Sequence, residues 1–279
     1  MKLLTYVENG ANKLGLVRDG GVVPLSISPD DFYKRGSAAL PEIEASSRGA
    51  AATLKEADLT LAPVVPTPGK ILCVGLNYGK HAAESGMAVP EFPILFSKFS
   101  NSLAGAGENV PISSDWHKVD YESELVAVIG KTAKHVSEAN ALDYVLGYCN
   151  GNDFSERGLQ LRTSQWLIGK SLDKFLPIGP YLVTADEVGD PQNLPITGKL
   201  NGELRQNSHT SNMIFSVAKI IAYASSLMTL SPGDIISTGT PDGVILGLPA
   251  EQQQWMKAGD TYTVEVGSLG KLTNTLVAE

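Results

Sequence analysis

Short apolar runs separated by Gly, Pro and Asn dominate the pattern of hydrophobic and polar positions along this chain. Runs of this length, bounded by turn-forming residues, are typical of β-strands. They predict strands at 71–76, 94–96, 122–129, 144–149 and 234–237. Most of the central part of the chain is therefore predicted to be sheet.

Two hairpins and one helix are predicted toward the C-terminus. The dipeptide Asn201-Gly202 supplies the positive φ angles of a type I′ turn, which predicts a hairpin over 196–206. The runs at 261–266 and 271–277 predict a closing hairpin. Between 214 and 230 the apolar residues recur at the spacing of one helical face, which predicts a helix.

The first sixty residues have a pattern of their own. Short strands are predicted at 1–7, 14–18 and 21–25, followed by a helix within 39–57. The stretch 61–69 then carries three prolines, which neither a helix interior nor a central strand accepts. We expect a domain boundary there.

This pattern predicts a mainly β fold of the α+β class, divided into a small N-terminal β-rich domain at 1–66 and a larger domain at 67–279. A further helix is expected at 137–143. Gly and Pro in 85–93 predict a loop.

Composition and charge limit the classes of partner. The 279 residues are 43% hydrophobic and 19% charged, as in an ordinary globular protein. A formal net charge of −8 argues against nucleic acids and anionic membrane surfaces as partners.

The compartment is predicted from the cysteines and the N-terminus. Cys73 and Cys149 lie in apolar runs and are interpreted as reduced core residues. The first residues are too polar for a signal peptide, and no apolar run approaches the ~18 residues of a membrane span. We therefore expect a cytoplasmic protein.

Three acidic residues break the apolar pattern. Glu122 and Glu124 belong to the predicted strand 122–129, and Asp153 follows the next apolar run. Residues two apart share one face of a strand, so the two glutamates point the same way, and burying both is costly unless a cation compensates. Carboxylates suit a hard divalent cation. The alternative is an edge strand with a solvated face.

Other candidate groups are His81, Glu84, Lys170 and the 239–243 segment. His81 and Glu84 are spaced i, i+3, so on one helical turn Glu84 can orient the imidazole as a base; the alternative is an exposed pair. Lys170 lies between apolar residues and is either a lysine with its amine in solvent or a group beside a developing oxyanion. The 239–243 segment is either a plain loop or, with Thr240, a carboxylate-binding site.

Motifs of several other enzyme classes are absent from the sequence. It has no phosphate-binding Gly-x-x-x-x-Gly-Lys loop, no complete dinucleotide fingerprint and no Gly-x-Ser-x-Gly nucleophile elbow. It also lacks the His and Cys spacings of zinc sites. Carboxylate chemistry is what remains.

These segments, taken in order, resemble the fumarylacetoacetate hydrolase family. The resemblance runs from about residue 70 to the end, three quarters of the chain. The matching pieces are Val74–Tyr78 with His81 and Glu84, Pro93–Lys98, Asp120–Leu125 with Val128–Lys131, Gly147-Tyr148 through Asn152-Asp153, Gly169–Ser171, Asn201-Gly202, Met213–Phe215 and Gly239–Pro241.

The resemblance implies a β-roll fold preceded by a small N-terminal domain, and a homodimer. It also implies a metal site for Mg²⁺ or Mn²⁺, with Ca²⁺ as a further option, and a small 2-oxo acid as substrate. The residues that match the family's functional positions are Glu122, Glu124 and Asp153 as metal ligands, His81 and Glu84 as a water-activating pair on a lid, Lys170 beside the enolate oxygen, and Gln160, Gly239 and Thr240 as substrate-binding residues.

Two segments depart from the family pattern. Asp242 stands where many members have a small residue, and 155–158 differs from the Ser-Ala-Arg-Asp of many members. An acid at 242 would alter the charge near the carboxylate site. The departures bear on the substrate and leave the metal ligands intact.

The resemblance implies a hydrolase acting on carbon–carbon bonds in acylpyruvate-type 2,4-dioxo acids such as fumarylpyruvate. An isomerase or a decarboxylase of 2-oxo or 2-hydroxy-diene dicarboxylic acids, for instance an oxaloacetate decarboxylase, is the alternative within the same enolate chemistry. A metal-binding protein of this fold without catalytic activity is the alternative from another class.

Overall fold

The computed structural model describes residues 1–84, 86 and 88–279. Residues 85 and 87 of the predicted 85–93 loop lie outside the described residues. The strands are β1 (Lys2–Glu8), β2 (Ala11–Arg18), β3 (Gly21–Pro24), β4 (Thr60–Leu61), β5 (Ile71–Gly75), β6 (Ile94–Ser97), β7 (Leu103–Ala104), β8 (Asn109–Ile112), β9 (Val119–Asp120), β10 (Ser123–Ile129), β11 (Val145–Asn152), β12 (Ser155–Glu156), β13 (Leu176–Thr184), β14 (Pro195–Leu200), β15 (Glu203–His209), β16 (Ile235–Ser237), β17 (Thr261–Val266) and β18 (Lys271–Ala278).

The helices are short and scattered between the strands. The α-helices are α1 (Pro29–Arg35), α2 (Leu40–Ser47), α3 (Gly79–Glu84), α4 (Arg157–Gln160), α5 (Leu167–Lys170), α6 (Ala185–Val188) and α7 (Val217–Leu227). Single 3₁₀ turns lie at Gly36–Ala39, Glu56–Asp58, Ser100–Ser102, Thr210–Asn212, Ile245–Gly247 and Ala250–Gln252, with a longer one at Glu138–Tyr144. Mixed sheets with a few helices make this an α+β fold, as predicted.

Most of the predicted elements are present. Asn201 and Gly202 have φ angles of 51° and 83°, so the hairpin turns where the sequence predicts. Helix α7 begins after Ser216, whose hydroxyl accepts the Lys219 N–H at 3.1 Å and so satisfies one free N–H of the first turn.

Two predicted helices need correction. The α-helix expected within 39–57 is limited to α2, because the chain turns at Gly49 and the Val22 N–H donates to the Leu54 carbonyl at 2.9 Å. The 137–143 helix is a 3₁₀ helix that leads directly into β11. After α2, tertiary hydrogen bonding outweighs local helix propensity.

Within the described residues the strands form three sheets of eleven, five and two members. The large sheet has the order β3-β2-β1-β13-β11-β10-β16-β5-β6, with β4 beside β1 and β7 beside β13. The second sheet has the order β15-β14-β17-β18-β8, and the small one pairs β12 with β9.

Strand β10 is an interior strand of the large sheet, paired with β11 on one side and β16 on the other. Alternate side chains enter two cores: Leu125 and Ala127 pack with residues of the five-stranded sheet and α7, and Val126 and Val128 pack with the N-terminal strands and α1. The edge-strand interpretation of the two glutamates is therefore wrong, since the strand is covered on both faces.

The N-terminal strands are hydrogen-bonded into the large sheet through β1, whose Leu3 lies opposite Leu182 of β13. Leu3 also shares a core with Val126. The division into domains at 1–66 and 67–279 stays a prediction.

As for membranes, none of the helices in the described part of the chain has the length and apolar character that a crossing requires.

Candidate active site

Three carboxylates meet at one end of the central strands. Glu122 precedes β10, Glu124 lies within it, and Asp153 follows β11, its partner strand. All three side chains are buried, and one oxygen from each lies within 4.8 Å of the others. The antiparallel register places Ser123 opposite Asn152, which brings the end of β11 beside the start of β10.

Two lysines neutralise part of this charge. The Lys170 Nζ donates to Glu122 Oε2 at 2.8 Å and to Asp153 Oδ2 at 2.9 Å. The Lys98 Nζ donates to Asp153 Oδ1 and to the carbonyls of Phe154 and Phe175. Asp153 is thus held between two buried ammonium groups.

Arg157 of α4 extends the network. Its Nη1 lies 2.8 Å from Glu122 Oε1 and donates to Gln160 Oε1 at 2.9 Å. Its Nε and Nη2 lie 2.9 Å and 2.8 Å from Asp120 Oδ2. Burial alone would raise the pKa of Glu122, but Lys170 and Arg157 outweigh it and lower that pKa to about 2.

Glu124 has no cation within ion-pairing distance among the described residues. Its Oε2 accepts hydrogen bonds from the Ser237 hydroxyl and from the Gly239 N–H, the latter at 2.9 Å. Burial, followed by the charges of Asp153 and Glu122, raises the pKa of Glu124 to about 8.

The donor set fits a hard divalent cation. Three buried carboxylates (Asp120, Glu122, Asp153) are joined by three cations (Lys98, Arg157, Lys170), so their charges balance. Glu124 lies beside them, and its ionised form adds one negative charge. Oxygens less than 4.8 Å apart match the span of opposite ligands of one ion at metal–oxygen distances of about 2.1–2.5 Å. A dication would make the net charge positive, which favours an anionic substrate.

His81 and Glu84 of α3 form the predicted pair. Glu84 Oε1 lies 2.9 Å from His81 Nδ1, and Glu84 Oε2 accepts the Gly243 N–H at 3.1 Å. With Nδ1 bound to the carboxylate, the neutral imidazole carries its proton there and offers the Nε2 lone pair.

One cavity of about 260 Å³ joins these groups. Six of the nine candidate residues line it, namely His81, Glu84, Glu122, Gln160, Lys170 and Thr240. The apolar part of its wall includes Phe96 and Trp166, whose rings meet edge to face with centroids 5.5 Å apart. The cavity thus has a charged end and an apolar wall.

The remaining candidates lie beside the cavity. Glu124 and Asp153 are the buried neighbours of Glu122, and the Gly239 N–H binds Glu124. The Thr240 hydroxyl donates to the Ser123 carbonyl at 2.9 Å and accepts from Gln206 at 2.8 Å, so its proton is already used. Asp242 does not line the cavity in the described part of the chain.

Sequence reasoning assigned no role to Lys98, Asp120, Arg157 and Ser237, which hold the triad. Ser237 lies 113 residues from Glu124, Lys98 lies 55 residues from Asp153, and Asp120 lies 37 residues from Arg157, separations that local pattern does not reveal. The signal available was the charge of Lys98 directly after the predicted strand 94–96.

Comparison with known proteins identifies one matching family model and similar proteins in other organisms. The family model "Fumarylacetoacetate (FAA) hydrolase C-terminal" matches residues 70–277. A protein of Burkholderia lata is 44% identical over 278 residues, which cover 97% of each chain. A Xenopus laevis protein named as a mitochondrial oxaloacetate tautomerase is 39% identical over 249 residues, 88% of this chain and 77% of that one.

Solved structures share the fold over the whole chain. A Mycobacterium smegmatis protein superposes with a TM-score of 0.88 at 36% identity, covering 100% of this chain and 99% of that one. A 5-carboxymethyl-2-hydroxymuconate delta-isomerase from M. smegmatis gives 0.81 at 29% identity, covering 100% of both. A maleylpyruvate hydrolase from Sphingobium gives 0.83 at 28% identity, also covering 100% of both.

Proposed function

Because this chain belongs to the fumarylacetoacetate hydrolase family, we propose that it is a metal-dependent hydrolase that cleaves a carbon–carbon bond in acylpyruvate-type 2,4-dioxo acids. The observation that carries the proposal is a single cavity lined by the His81–Glu84 pair and by Lys170 beside the carboxylate triad. A base and a cationic group for an oxyanion thus lie around one substrate-sized space.

A Mg²⁺ or Mn²⁺ ion held by Glu122, Glu124 and Asp153 would supply Lewis-acid polarisation of the 2-oxo acid oxygens, and Ca²⁺ fits the same ligands. The chain's own residues then bind and orient the substrate. Gln160, whose carbonyl oxygen is held by Arg157, keeps its amide N–H groups for the substrate.

The acid–base work falls to the His81–Glu84 pair. His81 takes a proton from the water that attacks the distal carbonyl, while Glu84 stabilises the imidazolium. The bond between C3 and C4 then breaks, the electron pair remains with the pyruvate fragment as its enolate, and the proton is returned to C3. The products are pyruvate and a carboxylic acid, so water accounts for all atoms.

Lys170, which also lines the cavity, supports the same step. Burial lowers the pKa of its ammonium group, but Asp153 and Glu122 outweigh this and raise it, so the group stays charged. A fixed positive charge beside the developing enolate oxygen lowers the barrier without reorganisation.

A second candidate reaction is keto–enol tautomerisation of a 2-oxo dicarboxylic acid. The observation that favours it is the name of the Xenopus laevis relative, an oxaloacetate tautomerase. It needs the same enolate, with His81 moving a proton at C3 and no attacking water. An isomerase or decarboxylase of such acids belongs to the same group.

A panel of substrates with added metal separates these reactions. We expect pyruvate release from acylpyruvates that stops with EDTA and returns with Mg²⁺ or Mn²⁺. Enol-to-keto conversion of oxaloacetate without pyruvate release from any 2,4-dioxo acid would favour the tautomerase, and CO₂ release from oxaloacetate the decarboxylase. Metal binding without turnover would leave a binding protein.

The metal site is tested by Glu124→Gln, which removes the charge and keeps the shape. We expect Mg²⁺ affinity, measured by calorimetry, to fall by at least about 100-fold. The matched control is Glu203→Gln, an exposed glutamate outside the site. Unchanged affinity in Glu124→Gln would mean that the ligands are misassigned.

The proposal includes the β-roll type of fold, a cytoplasmic location and a homodimer. Light scattering at several protein concentrations tests the dimer.

A further inference from the structure

We propose that the turn at residues 243–247 is the binding site that positions the Glu84 carboxylate. Gly247 is a positioning residue in this turn, because its lack of a side chain leaves the space that Glu84 occupies. Its activity test rests on the proposed function, because His81 and Glu84 are the acid–base pair of that function.

Glu84 contacts two different elements at once. One carboxylate oxygen binds His81 within α3, and the other accepts the Gly243 N–H from the turn. Helix α3 has only six residues, so its own hydrogen bonds fix its position weakly. Contact with the turn therefore fixes where the carboxylate, and with it the imidazole, lies.

Gly247 provides the room for this contact. A Cβ atom at this position would lie 2.4 Å from Glu84 Cδ and 2.7 Å from both Cγ and Oε2. These three nearest atoms all belong to the Glu84 side chain, and the φ angle of Gly247 lies outside the left-handed range. An alanine there would displace Glu84 without straining the backbone.

Gly243 differs in kind from Gly247. Its φ angle is +99°, and a Cβ atom would lie 2.3 Å from the Arg205 carbonyl oxygen. A side chain at 243 would therefore disturb the backbone of the fold. At 247 the three nearest atoms are all side-chain atoms of Glu84, which makes Gly247 the informative position.

Asp120 links the turn at 243–247 to the residues that contact the carboxylate triad. The Asp120 carboxylate accepts the N–H groups of Ile245 and Leu246 at 2.9 Å and 3.0 Å and binds Arg157, which in turn contacts Glu122. Tyr121 also donates its hydroxyl to the Gly243 carbonyl at 3.1 Å. The turn that receives Glu84 is thus fixed relative to the carboxylate triad.

The test compares Gly247→Ala with Gly79→Ala. Gly79 lies in α3 itself, and a Cβ atom there would meet nothing within 4 Å, so it is a matched control. We expect Gly247→Ala to lower kcat by roughly 100-fold, since a misplacement of about 1 Å costs that much, with Mg²⁺ affinity and Tm close to wild type. Gly79→Ala should retain wild-type kcat.

A double variant shows whether Gly247 acts through Glu84. If it does, Gly247→Ala added to Glu84→Ala lowers kcat no further. A further drop of tenfold or more, or wild-type kcat in Gly247→Ala alone, would overturn the proposal.

A readout without substrate separates this inference from the proposed function. Lys80 of α3 is exposed and offers a trypsin site. Cleavage after Lys80 should accelerate several-fold, and to the same extent, in Gly247→Ala and Glu84→Ala, but not in Gly79→Ala. Equal cleavage rates in the wild type and the three variants would contradict the proposed role of the 243–247 turn, whether or not any 2-oxo acid is turned over.

Discussion

At the scale of single residues, the two buried lysines serve the same aspartate from opposite sides. Lys170 bridges Glu122 and Asp153 and lines the cavity, whereas Lys98 gives its donors to Asp153 and two backbone carbonyls. Burial lowers the pKa of Lys98, against the opposing charge of Asp153. Lys98 is buried and does not line the cavity, so its role is to hold Asp153 in place.

Replacing Lys98 by methionine tests this role. Lys98→Met leaves part of the Asp153 charge uncompensated in a buried site, so we expect a loss of about 3–5 kcal/mol in the free energy of unfolding, measured with urea in EDTA. Lys174→Met removes a half-exposed ion pair with Glu108 and should cost about 0–1 kcal/mol. Equal losses in the two variants would contradict the assignment.

At the scale of elements, two helices of four residues each place Gln160 and Lys170 at the cavity. Helices α4 and α5 approach so closely that a Cβ atom on Gly169 would lie 2.3 Å from the Gln160 backbone nitrogen and 2.5 Å from the Glu156 carbonyl oxygen. The glycine next to Lys170 thus fixes the distance between the two helices.

Gly169→Ala should force these helices apart. Overpacking against backbone costs about 1–3 kcal/mol, so the Tm should fall, and kcat/KM should fall with it because both Gln160 and Lys170 move. The measurement is thermal unfolding together with steady-state kinetics, with Gly79→Ala as the control. A stable variant with full activity would show that the helices can shift without affecting the site.

Element prediction succeeded where the local signal was complete. The hairpin at Asn201-Gly202 and the helix after Ser216 are set by turn geometry and by a cap within a few residues. The predicted 39–57 helix was wrong beyond α2, since residues 49–55 bond to β3 through Leu54. Such a partner lies outside any local window.

At the scale of the whole molecule, the carboxylates of the site make the free energy of unfolding depend on pH and on metal binding. In the folded protein Glu124 has its pKa raised from 4.5 to about 8, so the native state binds a proton more tightly than the unfolded chain. The associated stability is present below pH 4.5 and is lost as the pH rises to about 8. Glu122 has the opposite sign, since its pKa falls from 4.5 to about 2 and its contribution disappears only as the pH falls through that range.

Metal should reverse the loss at high pH, because the ion needs Glu124 deprotonated. We expect Mg²⁺ to raise the urea midpoint more at pH 8 than at pH 6, compared with EDTA at each pH. In Glu124→Gln the metal-free protein should lose this part of its pH dependence, a slope of at most about 1.4 kcal/mol per pH unit. The same pH dependence in the variant and the wild type would exclude Glu124 as its origin.

Local pattern in the sequence predicted the hairpin turns, the unusual carboxylates and many of the strands, because turn residues, strand period and charge within apolar runs are local properties. It did not predict β8 or the long strand β13, and the family followed from the resemblance of motifs taken in order. The folded chain was needed to show that β10 is an interior strand, that Lys98 and Arg157 pair with the triad, and that Gly247 makes room for Glu84. The physical reason is that burial, charge pairing and close approach depend on residues far apart in the chain, and folding alone brings those residues together.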